Sequence, residues 1–127
     1  MTEHRTPLAR VRGLGSARTG TAHFWHQRLT AVANVPLTIA FVLIVVALLG
    51  RNHAAAQQIL GSPLVAIVML LFIGSITYHM RIGMQVIIED YVHDETAKIT
   101  LIMLNVFYVV AVCLASAYAI LKLSFGV

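Results

Sequence analysis

Three stretches of membrane-crossing length carry almost no charge. Leu29–Leu49 is 21 residues without Lys, Arg, Asp or Glu; Leu64–Ile88 is 25 residues holding His79, Arg81 and Gln85; Ile99–Leu121 is 23 uncharged residues. At about 1.5 Å of rise per residue, about 20 apolar residues cross a hydrocarbon core of about 30 Å. Three segments are too few for a barrel, and lipid offers backbone groups no water, so the spans must be helices. The sequence therefore predicts an all-α membrane protein with three transmembrane helices. Charged residues make up 11% of the 127 residues, against about 25% in soluble domains. That scarcity excludes a soluble enzyme and a disordered regulator. A single cysteine, Cys113, excludes a domain held by internal disulfides.

The turn residues agree with this division. Gly50-Arg51-Asn52 ends the first span, and Gly61-Ser62-Pro63 opens the second, with Pro63 suited to a first helical turn. Pro36 lies inside the first span, where it should kink the helix. The acidic stretch from Glu89 to Glu95 separates the second span from the third. Arg5, Arg10, Arg12, Arg18, Arg28, Arg81 and Lys98 fall on one side, with Arg51 and Lys122 on the other. This asymmetry predicts an inside N-terminus and an outside C-terminus. Residues 1–28 read as a basic cytoplasmic segment and 29–127 as the membrane anchor. The first apolar run is longer than the apolar region of a signal peptide, about 7–15 residues, and reads as an anchor. The arginines of the N-terminal segment point to anionic lipid or an acidic partner rather than nucleic acid.

His79 breaks the apolar pattern most sharply. It precedes Ile88 by nine residues, about 13–14 Å along a helix, which places it within the hydrocarbon. An ionisable group there faces protein, a cavity or a cofactor. One reading is an interhelical hydrogen bond; the other is an axial ligand to haem iron. Ser75, His79 and Gly83 share one face, where small residues leave room for a flat macrocycle or for close helix packing. No Cys-x-x-Cys-His is present, which excludes covalent attachment of the c type. His23, His26 and His93 belong near the inner surface and His53 to the outer loop. A second ligand would come from another subunit. Pairing His79 with His93 in a two-haem arrangement is a weaker alternative.

Asp90 and Tyr91 stand at the inner mouth of the second span. Tyr91 suits an aromatic belt with Trp25 as its counterpart, and a phenol beside a carboxylate also suits donation to a quinone carbonyl. Arg28 lies where an arginine snorkels to the interface, or where it could pair with a carboxylate. Arg81, two positions from His79, points away from that face. Tyr78, Tyr108 and Tyr118 read as interhelical packing.

The run from His79 to Val92, with His79, Gly83, Asp90 and Tyr91 in the pattern H-x-x-x-G-x-x-x-x-x-x-D-Y, resembles the smaller membrane anchor of succinate dehydrogenase, respiratory complex II. The stretch His23-Phe24-Trp25-His26-Gln27-Arg28-Leu29-Thr30-Ala31 is similar to that family's first-helix entry, and residues Arg10 to Ser16 to the leader of alphaproteobacterial members. The resemblance covers nearly the whole chain. It implies that His79 is an axial ligand of haem b, the other ligand lying on the companion cytochrome b556 anchor. It implies that Tyr91 bonds the ubiquinone head group with Asp90 beside it, and that Arg28 and His23 lie near the haem propionates or the quinone pocket. Electrons would arrive from succinate through FAD and iron–sulfur clusters in a flavoprotein subunit and an iron–sulfur subunit. The implied location is a bacterial inner membrane, with a mitochondrial inner membrane as the alternative. Two other readings stand beside it: the anchor of another haem b, quinone-linked dehydrogenase, and a structural membrane subunit without a cofactor.

Overall fold

In the computed structural model, which describes residues 6–13 and 20–127, every regular element is a helix among the described residues. They are α1 (Pro7–Val11), α2 (Ala22–Leu48), α3 (His53–Leu60), α4 (Pro63–Tyr91) and α5 (Glu95–Phe125). Arg5, Arg18 and the Leu14-Gly15-Ser16 part of the leader-like motif lie outside the described residues. The helices α2, α4 and α5, of 27, 29 and 31 residues, are long and apolar enough to cross a membrane.

All three spans are where the uncharged runs predict them, but the helices outrun those runs at the ends. Charge stops a segment from sitting in hydrocarbon without stopping a helix, whose backbone stays satisfied as long as its ends are capped. At the start of α5 the Asp94 carboxylate accepts from the Ala97 amide at 2.7 Å. At its end Gly126 takes the left-handed conformation, φ 71°, which a residue without Cβ adopts freely. Asp94 is thus a cap, and Glu89–Tyr91 belong to α4, leaving residues 92–94 as the link. His93 lies in that link and not on α4, so it shares no helix face with His79.

The connection between α2 and α4 is not a plain loop. It contains α3, whose Ala54-Ala55-Ala56 favours a helix, with Asn52 Oδ1 accepting from the Ala55 amide at 2.9 Å. Gly61 closes α3 where there is no room for a side chain. A Cβ there would lie 2.7 Å from the Gln57 carbonyl oxygen and 3.4 Å from that of Ser124, at the end of α5. The close approach locks the α3–α4 turn against the last turn of α5.

Helix α4 is the middle of a row. Both α2 and α5 pack on it, and no Cα of α2 approaches one of α5 within 8 Å. Accordingly α4 buries Ala66, Phe72, Thr77, Ile82 and Ile88, whereas α2 buries no residue. On the α5 side the buried Asn105 donates from Nδ2 to the Arg81 carbonyl oxygen at 3.0 Å. Arg81 Nε is buried as well. On the α2 side Phe41 and Phe72 stack with ring centroids 4.5 Å apart.

Two substitutions test this packing. Asn105→Leu removes the bond to the Arg81 carbonyl and should lower unfolding stability in mixed micelles by about 0.5–2 kcal/mol. Gly61→Ala forces backbone to move and should cost about 1–3 kcal/mol, whereas Gly74→Ala, with open space at its Cβ, serves as the unaffected control.

Candidate functional site

The polar residues of α2 recur at helical spacing. Gln27, Thr30 and Asn34 fall at intervals of three and four, one stripe of the helix. On α4, Ser75, His79 and Gly83 make the matching stripe. The two meet in antiparallel register: Phe41 with Phe72, Thr30 with His79, and Gln27 with Gly83. The result is a polar seam inside an apolar pair of helices.

At its centre Thr30 Oγ1 lies 3.0 Å from His79 Nδ1. The same oxygen lies 2.7 Å from the His26 carbonyl and 3.1 Å from the Gln27 carbonyl, both as donor. One helical turn closer to the start of α2, the Tyr78 hydroxyl is bonded to His26 Nδ1 at 2.9 Å. Adjacent residues of α4, Tyr78 and His79, therefore hold α2 at positions one turn apart. Further along the seam, Gln27 Oε1, Asn34 Oδ1 and Ser75 Oγ are buried without a hydrogen-bond partner among the described residues, an unusual state for polar atoms away from water.

The fit of this stripe to a haem ligand rests on the imidazole. Its Nδ1 edge is taken up by Thr30, and its Nε2 edge has no partner among the described residues. That is the arrangement of a ligating histidine, which bonds through one nitrogen while the other is held by the protein. His79 is partly exposed rather than sealed between α2 and α4, so its free edge is accessible. Of the two expected uses of a small residue at Gly83, the structure shows close helix packing. A Cβ there would touch the Gln27 amide nitrogen at 3.6 Å, so in this chain the small residue serves the contact of α2 with α4. Among the described residues no three His, Cys, Asp or Glu side chains cluster to hold a bare metal ion.

Toward the start of α2, His23, Phe24, Gln27 and Arg28 of α2 and Ile82 and Val86 of α4 line a shallow groove of about 390 Å³. The Arg28 guanidinium stacks over the Phe24 ring, 4.9 Å from its centroid, one turn away on the same helix. His23 and Arg28 are exposed, so both can offer donors to an anion or a carbonyl from the groove. Asp90 and Tyr91 close α4 just beyond it. At about 100° per residue, Asp90 lies about 20° from the direction of His79 and Tyr91 about 120° from it. Asp90 thus continues the His79–Val86 stripe, while Tyr91, 77% exposed, projects to a different side. Neither lines the groove. The sequence motif groups residues that this chain alone distributes over two sides of one helix end.

Sequence reasoning singled out His79 and missed what holds it. Thr30, Gln27 and Asn34 sit in an uncharged or nearly uncharged run, and a count of charges passes over them. Their spacing of three and four was the available signal.

A family model described as "Succinate dehydrogenase/Fumarate reductase transmembrane subunit" matches residues 2–115. The succinate dehydrogenase hydrophobic membrane anchor subunit of Paracoccus denitrificans is 32% identical over 121 residues, covering 95% of this chain and 93% of its own. That of Rickettsia bellii is 29% identical, covering 80% and 81%. The succinate dehydrogenase membrane anchor subunit of Reclinomonas americana is 32% identical, covering 68% and 75%. No solved structure matches the chain. Three membrane-length helices, a polar seam about one histidine and a match over nearly all of the sequence lead to one conclusion: the chain belongs to the succinate dehydrogenase/fumarate reductase transmembrane subunit family.

Proposed function

We propose that this chain is the membrane anchor subunit of a succinate:ubiquinone oxidoreductase in a bacterial inner membrane, with its N-terminus inside. In this role it would supply a ligand to haem b and part of the ubiquinone site, and would dock the flavoprotein and iron–sulfur subunits. The observation that carries the reading is His79, an imidazole on a membrane-length helix with Nδ1 held and Nε2 without a partner among the described residues. The relatives named succinate dehydrogenase anchor subunits supply the biochemical setting.

His79 would hold the haem iron through Nε2, and haem b bound there would supply a one-electron store beside the quinone. The companion cytochrome b556 anchor would contribute the second ligand. Arg28 and His23, exposed on the groove at the start of α2, suit the propionates or the quinone pocket, since a guanidinium matches a planar carboxylate. Tyr91 and Asp90 serve the inner end. Conversion of a quinone to a quinol takes up two electrons and two protons. The electrons come from FAD and iron–sulfur clusters in the partner subunits, because this chain, with Cys113 alone, has no thiolate set for a cluster. The protons come from the inner aqueous side. There the Tyr91 phenol can donate to a quinone oxygen, and the Asp90 carboxylate can exchange protons with water. The chain by itself carries out no reaction.

Two measurements on the assembled complex test this. His79→Ala should abolish or displace the haem b absorption while the subunits remain assembled; an unchanged reduced-minus-oxidised spectrum refutes the ligand. Tyr91→Phe should lower succinate:ubiquinone activity about tenfold or more, the scale of one lost hydrogen bond at a reacting oxygen. Succinate oxidation by a soluble dye should persist, and full quinone activity in this variant removes Tyr91 from the site.

A further inference from the structure

We infer that Thr30 is a positioning residue for His79: its hydroxyl fixes the imidazole as the Nδ1–H tautomer and so directs the Nε2 lone pair toward the haem iron. This rests on the reading of His79 as a haem ligand and adds a determinant on another helix. The hydroxyl has a single hydrogen. That hydrogen is directed to the backbone carbonyls of α2, at 2.7 Å to His26 and 3.1 Å to Gln27, a common use of threonine inside a helix. With its hydrogen so placed, the oxygen meets His79 Nδ1, 3.0 Å away, as an acceptor. Nδ1 then carries the ring proton, and Nε2 keeps its lone pair.

The anchor is rigid for a specific reason. The carbonyls that engage Thr30 belong to the helix backbone, and His26 is itself bonded through its ring to Tyr78, the neighbour of His79. Ring orientation and tautomer are thus set by the α2–α4 contact rather than by α4 alone. A hydroxyl that donates to a carbonyl is a better acceptor at its oxygen. A ligand imidazole whose distal N–H is accepted in this way is more basic at its metal-binding nitrogen, which favours the oxidised iron. Thr30 accordingly tunes the haem potential downward as well as holding the ring.

The test uses the purified, assembled complex and reads haem content, haem midpoint potential and the low-spin haem resonance. Thr30→Val keeps the shape and removes the acceptor; Thr30→Ser keeps the acceptor and removes a methyl. The valine variant should show a raised midpoint potential and a shifted resonance, while the serine variant stays at wild-type values. Wild-type potential and resonance in Thr30→Val overturn the inference. So does an equal shift in both variants, which would make the methyl group, and hence packing, the cause. If Thr30→Val does not assemble, Thr30→Ala replaces it under the same criteria. His79→Ala separates the two levels. Loss of haem there with an unshifted Thr30→Val sinks the role of Thr30 alone; retention of haem there sinks the ligand and this inference together.

Discussion

The hydrogen bond between Thr30 and His79 is the interaction on which the arrangement of α2 against α4 depends. Lipid supplies no partner for a polar side chain, so each one on a span must be satisfied within the protein or kept for a ligand. His79 meets this condition at one ring nitrogen through Thr30, and Thr30 meets it through the backbone of its own helix. Tyr78 and His26 repeat the contact one turn on. Bonds of this kind average only about 0.6 kcal/mol each in membranes, so their value lies in register. Sliding α2 by one turn would separate both pairs and bring Gln27 out of contact with Gly83.

The row arrangement gives α4 two faces with separate tasks. Its α2 side carries the seam with His79, and its α5 side carries Arg81 and the bond from Asn105. Because α2 and α5 do not meet, neither helix closes over the other's contact, and the His79 ring stays partly exposed. A three-helix bundle packed as a triangle would place more of each helix inside. Here α2 buries none of its residues, which leaves most of its apolar surface for lipid or for other protein.

Most of the architecture was legible because the membrane imposes a simple rule on composition. Uncharged runs located α2, α4 and α5, and Pro63 marked the first turn of α4. What the rule could not reveal followed from local backbone chemistry. Asp94 reads as one more acidic residue until its carboxylate is seen capping α5, and α3 is hidden in a stretch too short to span. The site was legible in part. His79 stands out because it is costly where it is, whereas Thr30 and Asn105 are cheap, uncharged residues whose importance depends on which residue faces them across the seam. At Gly83 spacing identified the face and left two uses open, and the contact with Gln27 shows the packing one. Asp90 and Tyr91 are adjacent in sequence, but helical geometry turns them about 100° apart.

That divergence bears on how the site is completed. On the proposed reading a haem held by His79 would take a second ligand from elsewhere, since His26, one turn from Thr30 on α2, is engaged by Tyr78 through its ring. His23 and His26 stand on the first turns of α2, His53 opens α3, and His93 is in the link before α5. Similarly, Asp90 continues the stripe of His79 while Tyr91 faces elsewhere, so one small head group cannot meet both from within this chain's own groove. Both gaps lie on surfaces that α2 and α5 leave open. On the proposed reading, a second anchor laid along that opening supplies the missing ligand and closes the far wall of the quinone pocket in one step. The same economy explains the exposed row: a chain that closed on itself would satisfy its seam but leave no edge of His79 to share.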